Sequence, residues 1–332
     1  MNAGRKARVG ICGAGRISRF HADGFVRAGA EIAAFADPRI DAAHDAATPY
    51  GARSYASLSQ MLMSEDLDVV CIATPHDLHV SQATEALAAG LDVFMDKPLA
   101  LTPEDGRNLV TLAERLWRRL GVNHNLLFHP SVVEARAVLR SGEIGDIVSA
   151  NAWSTGWLDL TPTDFRRNRT KTGGGAWFDA GPHLVYLLAD LVGPFKKLSA
   201  FPSERGSRLG GEDTVVAMGL FASGQVASMR ISYSYRAPSS DLAWPAGWYQ
   251  GLEVNGTEGA LRLSVTPTGS LETWRLGQDG WVSRLADAPF SESFDGAIRD
   301  FVNARDIESA GNASAEQSVR VLEWITGALA TT

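Results

Sequence analysis

The feature that most constrains the fold is a glycine turn between an apolar strand and a helix near the start of the chain. Arg8–Cys12 is a short apolar run, and Gly13-Ala14-Gly15-Arg16-Ile17-Ser18 leads from it into a helical pattern that continues to about Arg27. The first glycine permits a tight turn, and the second lets a pyrophosphate approach the backbone at a helix N-terminus. The spacing therefore predicts a dinucleotide-binding βαβ unit in which serine replaces the third glycine.

An acidic residue at the end of the next predicted strand supports the same prediction. Asp37 directly follows Glu31–Ala36, about 20 residues after Gly15, where the motif places a carboxylate on the ribose hydroxyls. Its charge would repel a 2′-phosphate, which favours NAD as the cofactor. Arg39 lies two residues later and would offset this repulsion, so NADP stays possible.

Strand-like and helix-like segments alternate through the first 125 residues. Further strands are predicted at 68–73, 91–95 and 121–126, and helices at 41–47, 58–63, 81–89 and 103–120. Strands separated by helices of this length form right-handed βαβ units with a parallel sheet. Residues 1–125 are therefore predicted to form a Rossmann NAD(P)-binding domain, which makes the fold class α/β.

The pattern changes after this point, and residues 126–332 are predicted to form a second, α+β domain. After a helix at 130–141, period-two strands separated by turns predict an open, mostly antiparallel sheet, with strands at 147–157, 197–201, 214–221, 225–235, 252–254, 260–265 and 271–276. Two helices at 294–306 and 315–329 close this domain, which would bind substrate and form oligomers. Most of the nine tryptophans fall here, among them Trp244. They favour a core or a subunit interface, with a sugar-binding wall as the alternative.

A lysine stands at the predicted carboxyl end of strand 91–95. Asp96-Lys97-Pro98 follows this run directly, and Pro98 ends the strand because it has a fixed φ and no N–H. Ligands of open α/β sheets bind at the carboxyl ends of the strands, so Lys97 is a candidate functional residue. The alternative for Lys97 taken alone is a loop lysine with its ammonium group in water.

A run of three glycines precedes a second group of reactive side chains. Gly173-Gly174-Gly175 leads to Asp179, Pro182 and His183. Pro182 is expected in the first turn of a helix, which would place His183 near the helix N-terminus, where the dipole favours a neutral imidazole. A neutral imidazole can act as a general base, and Asp179 is close enough to share its cavity. A purely structural role is the alternative for His183.

Together these segments resemble the Gfo/Idh/MocA family, nicotinamide-dependent oxidoreductases of sugars, cyclitols and related polyols. The matching segments follow the family's order along nearly the whole chain: the cofactor loop at 9–17, a T-P-N-x-x-H stretch at 73–79, an E-K-P segment at 96–100, a G-x-I-G turn at 141–145 and a G-G-G-x-x-x-D-x-G-x-H segment at 173–183. The resemblance implies a Rossmann domain and an open-sheet domain with the cofactor between them.

The resemblance also implies roles for individual residues. Lys97 would contact the substrate hydroxyl and the nicotinamide ribose, His183 would be the catalytic acid/base, and Asp179 would bind and orient the polyol. The predicted cofactor-binding residues are Gly13, Gly15, Arg16, Ile17, Asp37, Arg39, Thr74, Pro75, His76, His79, Asp96 and Lys97. The predicted substrate-binding residues are Lys97, Asn125, Arg166, Asp179 and His183.

Three segments depart from the family pattern. Asp96 replaces the usual glutamate and is one methylene shorter, and His76 stands where asparagine is common. Asn123-His124-Asn125 replaces the usual polar residues after the crossover strand, so it either contacts substrate or is structural. His79 and Arg166 are pocket candidates for which a surface or structural role is an equal alternative.

Composition excludes several other classes of function. The net charge is −7 with no block of basic residues, so no nucleic-acid partner is expected. No apolar stretch approaches the roughly 20 residues of a membrane span, and the chain start lacks the features of a signal peptide. Cys12 and Cys71 fall in apolar runs typical of buried free thiols, which favours a cytoplasmic protein. We expect no metal site.

The favoured interpretation is an NAD(P)-dependent dehydrogenase of a sugar, inositol or other polyol. It predicts a small-molecule substrate, no membrane partner, and a homodimer or homotetramer formed through the aromatic-rich sheet. An NAD-dependent glycosidase that acts by transient oxidation is an alternative. A non-catalytic dinucleotide sensor is a further alternative, although such a sensor would not need Lys97, Asp179 and His183.

Overall fold

The computed structural model describes residues 5–206, 209–236, 247–304 and 314–329, so Trp244 lies outside the described part. The chain divides into two compact units. The first comprises the described residues of Met1–His124 and Phe294–Arg320, and the second those of Asn125–Ser293 and Val321–Thr332. The sequence analysis placed the boundary after residue 125 and 294–320 in the second domain, whereas in this division 294–320 is grouped with the first unit.

The sheet of the first unit is parallel throughout. Its strands are β1 Arg8–Cys12, β2 Glu31–Ala36, β3 Arg53–Tyr55, β4 Val69–Ile72, β5 Asp92–Asp96 and β6 Leu120–Asn123. They lie in the order β3-β2-β1-β4-β5-β6, which is the doubly wound arrangement of a Rossmann domain. β1, β4 and β5 are almost wholly buried, as expected for strands with helices on both faces of the sheet.

The helices of the first unit occupy the crossover connections between these strands. They are α1 Arg16–Arg27, α2 Ile40–Ala47, α3 Leu58–Ser64, α4 His79–Ala88 and α5 Pro103–Arg115. Start signals in the sequence account for two of them: Ser57 caps α3, and Thr102 caps α5 with Pro103 at its first position. The predicted helix 103–120 was too long, since β6 begins at Leu120.

A late helix, α9 Ser291–Asn303, supplies aromatic core to the first unit, which explains why 294–320 is grouped with that unit. The Phe301 ring lies 5.1 Å from the ring of Phe94 on β5. A Cβ at Gly121 would come within 2.6 Å of Phe301, and one at Gly24 within 2.4 Å of Ile298. These two glycines leave the room that α9 needs. The local sequence pattern does not show this long-range packing, so it could not place α9 with the first unit.

The sheet of the second unit is mixed and mostly antiparallel. Its strands are β7 Ile147–Gly156, β8 Phe195–Ser203, β9 Thr214–Phe221, β10 Val226–Ser232, β11 Trp248–Gly256, β12 Gly259–Thr266, β13 Gly269–Arg275 and β14 Val282–Ala288. Their order is β14-β13-β12-β11-β7-β10-β9-β8. Among the described strand pairs of this second sheet, only β7–β10 is parallel. The predicted fold class is therefore confirmed, although the sequence prediction missed β3 and β14.

Helices cover one face of this sheet. They include α6 Pro130–Arg140 and α8 Ala176–Leu191, and the same unit contains the short α7 Arg169–Thr172 and the end of α10 Ala315–Leu329. α8 is largely apolar and lies against β7, β9 and β10. Trp177 on α8 is fully buried and donates its indole N–H to the carbonyl of Ile325 at 3.0 Å. This tryptophan is part of the core, as predicted.

The prediction that Pro182 opens a helix is wrong. α8 begins six residues earlier, at Ala176, and Pro182 lies inside it. Because proline has no N–H, the carbonyl of Phe178 lacks its usual donor from four residues on. His183 therefore lies beyond the first turns of α8, and the expected influence of a nearby helix N-terminus on its ionisation does not apply.

Both cysteines are buried and free, as predicted. Burial, followed by the charges of Asp37 and Glu85, raises the pKa of Cys12 to about 12. Burial also raises the pKa of Cys71 well above its usual value. Neither thiol is therefore a reactive thiolate near neutral pH. Among the described helices, none is both long enough and apolar enough to cross a bilayer.

Candidate functional site

The glycine turn after β1 leaves the start of α1 accessible. Gly13 has φ +101, and a Cβ there would come within 2.4 Å of the carbonyl oxygen of Ala73, so only glycine fits. Gly15 is the N-cap of α1, no side chain caps the helix, and nothing lies within 4 Å of the position of its missing Cβ. Arg16 and Ile17 form the first turn. The backbone N–H groups at this end suit an anionic group of a ligand.

The Ser18 side chain explains why the third glycine of the motif is dispensable here. Its hydroxyl donates to the carbonyl of Gly15 at 2.6 Å, and the residue is fully enclosed. The serine therefore fits the helix–strand contact and adds a bond that holds the turn.

Asp37 ties the end of β2 to the glycine turn. One carboxylate oxygen accepts the N–H of Ala14 at 3.0 Å, and the other accepts the N–H of Arg39 at 2.9 Å. The guanidinium of Arg39 approaches to 3.4 Å but is largely exposed. The predicted pair is thus brought together, with the Asp37 carboxylate oriented by backbone donors.

His79 connects the two loops that follow β4 and β5. Its Nδ1 lies 2.7 Å from the carbonyl of Pro98 and its Nε2 lies 2.9 Å from the carbonyl of Thr74. Burial lowers its pKa, which outweighs the opposing influence of these two carbonyls. A neutral ring donates only one N–H, so one contact at a time is a hydrogen bond. Because its two ring nitrogens face the carbonyls of Thr74 and Pro98, His79 holds the two loops next to each other.

Thr74, Pro75 and His76 form the loop that His79 holds. The hydroxyl of Thr74 donates to Gln82 at 2.6 Å, Pro75 precedes a 3-10 turn, and the ring of His76 lies 5.7 Å from that of His79. This loop and the glycine turn follow adjacent strands, β4 and β1, so both lie at the carboxyl edge of one sheet.

Lys97 lies directly after β5 at the same edge and is half-buried. The preceding Asp96 accepts a hydrogen bond from the amide of Asn123 at 3.3 Å and lies 3.9 Å from the fully buried ring of His21. Burial lowers the pKa of His21, so this is a contact with a neutral ring and not an ion pair. The short Asp96 side chain therefore contacts two side chains of the first unit, those of Asn123 and His21.

The Asn123-His124-Asn125 segment is buried throughout. The ring Nε2 of His124 lies 3.0 Å from the hydroxyl of Ser318, and the amide of Asn125 donates to the hydroxyl of Ser293 at 2.8 Å. Burial, followed by the charge of Lys97, lowers the pKa of His124 to about 3. These contacts favour the structural alternative for the segment, Asn125 included.

In the second unit, the glycine run allows a carboxylate to cap α8. Gly173 ends α7 with φ +78, and a Cβ at Gly175 would come within 2.0 Å of the backbone oxygen of Glu212. The buried Oε1 of Glu212 accepts the N–H groups of Gly175 and Trp177 at 3.0 and 3.1 Å. The Glu212 carbonyl accepts the N–H of Ala176 at 2.7 Å. The start of α8 is therefore satisfied from within the chain.

Asp179 and His183 both belong to α8, four residues apart and on one face of the helix. His183 is half-buried, whereas Asp179 is 6% exposed. One carboxylate oxygen of Asp179, Oδ2, accepts the hydroxyl of Tyr233 at 2.6 Å and the Nε–H of Arg166 at 3.1 Å. Arg166 also contacts Asp164 at 3.3 Å. The structure thus brings Arg166, Asp179 and His183 together within the second unit.

Sequence reasoning missed Tyr233 and Glu212. Both lie at strand ends far along the chain from their partners, so no local spacing links them to α8. Their one sequence signal is an acidic or phenolic group beside small residues, which is too common to be specific. In the described part of the chain, no group of three or more His, Cys, Asp or Glu side chains could hold a metal ion.

The first unit fits a dinucleotide. An accessible helix N-terminus behind a glycine turn, with an oriented carboxylate at the end of the next strand, is how Rossmann domains hold NAD. Such a domain, joined to a unit that carries an aspartate and a histidine four residues apart on one helix, is typical of NAD-binding oxidoreductases.

The chain belongs to the Gfo/Idh/MocA family. Residues 7–124 match the model described as oxidoreductase family, NAD-binding Rossmann fold, and residues 132–262 match the GFO/IDH/MocA C-terminal domain. The resemblance and the NAD cofactor predicted from the sequence are thereby confirmed.

Three relatives illustrate the range of similarity. The rhizopine catabolism protein MocA of Rhizobium meliloti is 28% identical over 95% of this chain and 92% of its own length. D-apiose dehydrogenase of Paraburkholderia graminis is 30% identical over 79% of this chain and 68% of its own. The solved structure of levoglucosan dehydrogenase with NADH and levoglucosan superposes with a TM-score of 0.86 at 21% identity, over 98% of both chains. That likeness shows the fold alone.

Proposed function

We propose that this protein uses NAD to interconvert a secondary hydroxyl and the corresponding ketone on a sugar, cyclitol or related polyol. The observation that carries the proposal is the placement of Asp179 and His183 on one face of α8. A base and an acceptor side by side suit a substrate with vicinal hydroxyls, one of which reacts while its neighbour is held. The sugar specificity named for D-apiose dehydrogenase supports the same substrate class.

The chemistry assigned to the side chains follows from what alcohol oxidation requires. His183 removes the proton from the reacting hydroxyl, and in the reverse direction returns it to the ketone oxygen. The ammonium group of Lys97 stabilises the negative charge that develops on that oxygen. Asp179 accepts a hydrogen bond from a neighbouring hydroxyl and orients the ring. NAD, when bound, takes up the hydride.

Residues of the first unit are assigned to the cofactor. The N–H groups behind Gly13 and Gly15 would hold the pyrophosphate, and Asp37 would bind the adenosine ribose hydroxyls. Because Asp37 is already oriented by two backbone donors, its charge is fixed where a 2′-phosphate would have to lie. We therefore expect a higher kcat/KM with NAD than with NADP.

The direct test is a spectrophotometric panel of sugars, inositols and other polyols with NAD and with NADP, following absorbance of the reduced nicotinamide. Lys97→Ala and His183→Ala should each lose about 10²- to 10⁴-fold in kcat while NAD binding survives. His44→Gln, at an exposed helix position, is the matched control and should change neither quantity. Full turnover in both active-site variants would exclude this mechanism.

The other outcomes of the same panel separate the competing functions. Turnover of a glycoside without net NADH would indicate a glycosidase that acts by transient oxidation. NAD binding with no turnover of any class would indicate a sensor.

We also propose that the protein is a homodimer or homotetramer formed through the outer face of β8, β9 and β10. Apolar side chains are exposed along this face: Phe201, Val216, Met218 and Leu220. Such a surface is unusual on a monomer. Sedimentation of the wild type and of Met218→Lys tests this, and a monomeric wild type would exclude it.

A further inference from the structure

We propose that Tyr233 and Arg166 are positioning residues that hold Asp179 as an ionised acceptor beside His183. The inference deepens the proposed function and rests on it for the role of Asp179 in the reaction. It reassigns Arg166, which the sequence placed among the substrate-binding residues, and it gives a task to Tyr233, which the sequence did not single out.

Both donors converge on the same oxygen atom of Asp179. The hydroxyl of Tyr233 lies 2.6 Å from Oδ2 and the Nε of Arg166 lies 3.1 Å from it. Two donors on one carboxylate oxygen restrict rotation of the carboxylate about χ2. They also stabilise its charged form relative to the neutral acid.

The two donors are themselves fixed. The ring of Tyr233 lies edge-on to Trp248 at 4.8 Å, and the indole N–H of Trp248 donates to the hydroxyl of Ser154 at 3.2 Å. The guanidinium of Arg166 lies 4.6 Å over the ring of Phe165. A residue after a strand and a residue of a turn thus hold the carboxylate, which is the preorganisation that a catalytic acceptor requires.

The charges around Asp179 favour this protonation state. Arg166 is the cation in contact with it, while Asp164 and Glu212 are nearby carboxylates and His183 is the titratable group on the same helix. Burial, followed by the charge of Asp179, raises the pKa of Tyr233 well above its usual value. The phenol therefore stays protonated and remains a donor throughout the working pH range.

The contacts of Arg166 also indicate which class of substrate the site suits. Its guanidinium contacts both Asp179 and Asp164, so its charge is balanced within the protein. An arginine used in this way does not supply the bidentate site that a carboxylate or phosphate group on a substrate would need. The arrangement suits a neutral, hydroxyl-rich substrate.

Tyr233→Phe is the discriminating variant because it keeps the ring against Trp248 and removes only the hydroxyl. We expect kcat to fall about 10- to 100-fold with the KM for NAD unchanged. In addition to the limb set by His183, the loss of activity caused by protonation of Asp179 should begin at a higher pH in this variant, because a carboxylate that loses a donor is protonated more easily. Arg166→Lys should retain more activity than Arg166→Met, because it keeps the charge.

Tyr50→Phe is the matched control. Its hydroxyl makes the same kind of bond, to Asp23 at 2.7 Å, but within the first unit. This variant should leave kcat and its pH profile unchanged. A Tyr233→Phe enzyme with the wild-type kcat and pH profile would overturn the proposal.

A second measurement keeps the test independent of turnover. Carbon-13 NMR of aspartate-labelled protein, with the Asp179 signal assigned through its absence in Asp179→Asn, reports the titration of this carboxyl group directly. Titration about one unit higher in Tyr233→Phe than in the wild type supports positioning even if no substrate is found. Identical titration in both proteins overturns it. Absence of turnover in the wild type would count against the proposed function alone.

Discussion

Each unit contains a glycine-rich turn that leads into a helix, and the two turns leave the helix start in opposite conditions. At α1 no side chain caps the helix and nothing lies within 4 Å of where a Cβ on Gly15 would be. At α8 the carboxylate and carbonyl of Glu212 occupy the N–H groups of Gly175, Ala176 and Trp177. Glycine therefore makes room for a ligand in the first case and for another part of the chain in the second.

This difference shows that a glycine run before a helix does not by itself indicate an anion site. The second turn has more glycines than the first, yet its helix is already capped by an internal anion. What it provides instead is a rigid base for the helix that carries Asp179 and His183. One turn is thus suited to binding a cofactor and the other to holding Asp179 and His183 in place.

The largest expected effect comes from adding one methyl group to the second turn. The Cβ of Gly175→Ala would meet backbone at 2.0 Å, which cannot move without displacing α8, so we expect a loss of about 3 kcal/mol in the free energy of unfolding. Gly15→Ala adds the same group where nothing lies within 4 Å and should change stability by less than about 0.5 kcal/mol. Urea unfolding of the two variants measures both values. Equal free energies of unfolding for the two variants would contradict the difference between the two turns.

Buried histidines should make the stability of the first unit more sensitive to acid than that of the second. His124, in the first unit, has a pKa of about 3 when folded and 6.5 as its usual value. As the pH falls below 6.5, His124 binds a proton in the unfolded chain but not in the folded chain. The free energy of unfolding therefore decreases from pH 6.5 down to about pH 3. Between pH 7.5 and 5.0 this residue should cost about 2 kcal/mol.

The measurement is urea unfolding of the wild type and of His124→Gln at both pH values. The variant should lose about 2 kcal/mol less than the wild type on acidification. His44→Gln, exposed on α2, should lose as much as the wild type. Burial also lowers the pKa of His21 and His79 in the first unit, and in the second unit it lowers the pKa of His129 to about 4. Stronger acid sensitivity of the second unit would contradict this difference.

A smaller effect is expected from neutralising the internal cap. Glu212→Gln keeps an acceptor near Gly175 and Trp177 but removes the charge that complements the helix dipole, which should cost about 1 kcal/mol in stability. Thermal unfolding at low and high salt measures it. Glu253→Gln, on β11 and away from helix ends, serves as the control and should be nearly neutral. A stabilised Glu212→Gln would show that the carboxylate is not an effective cap.

Local pattern predicted the fold well where each element follows from its own residues. The glycine turn, Asp37, the parallel strands and the alternating strands of the second unit were all readable in this way. β3 is only three residues long, Arg53–Tyr55, and too short to show a period. Pro182 misled because tertiary burial of α8 tolerates a missing backbone bond that an isolated helix would not.

The candidate site was less predictable because its supporting contacts are distant in sequence. Tyr233 and Arg166 reach Asp179 across 54 and 13 residues, so spacing along the chain could not assign either as its partner. The same holds for α9, whose Phe301 fits beside Gly121 only once both are folded. Side-chain identity indicated the reactive groups, and long-range packing decided what holds them.

NAD affinity tests most directly the claim that the first turn binds the cofactor and the second does not. It is measured by isothermal titration on the wild type, Gly15→Val and Glu212→Gln. Gly15→Val places bulk where the pyrophosphate must approach the backbone, and its Kd for NAD should rise at least about tenfold. Glu212→Gln alters the start of α8 alone and should keep the wild-type Kd within about twofold. An unchanged Kd in Gly15→Val, or an equal loss in both variants, would contradict the assignment of the first turn to the cofactor.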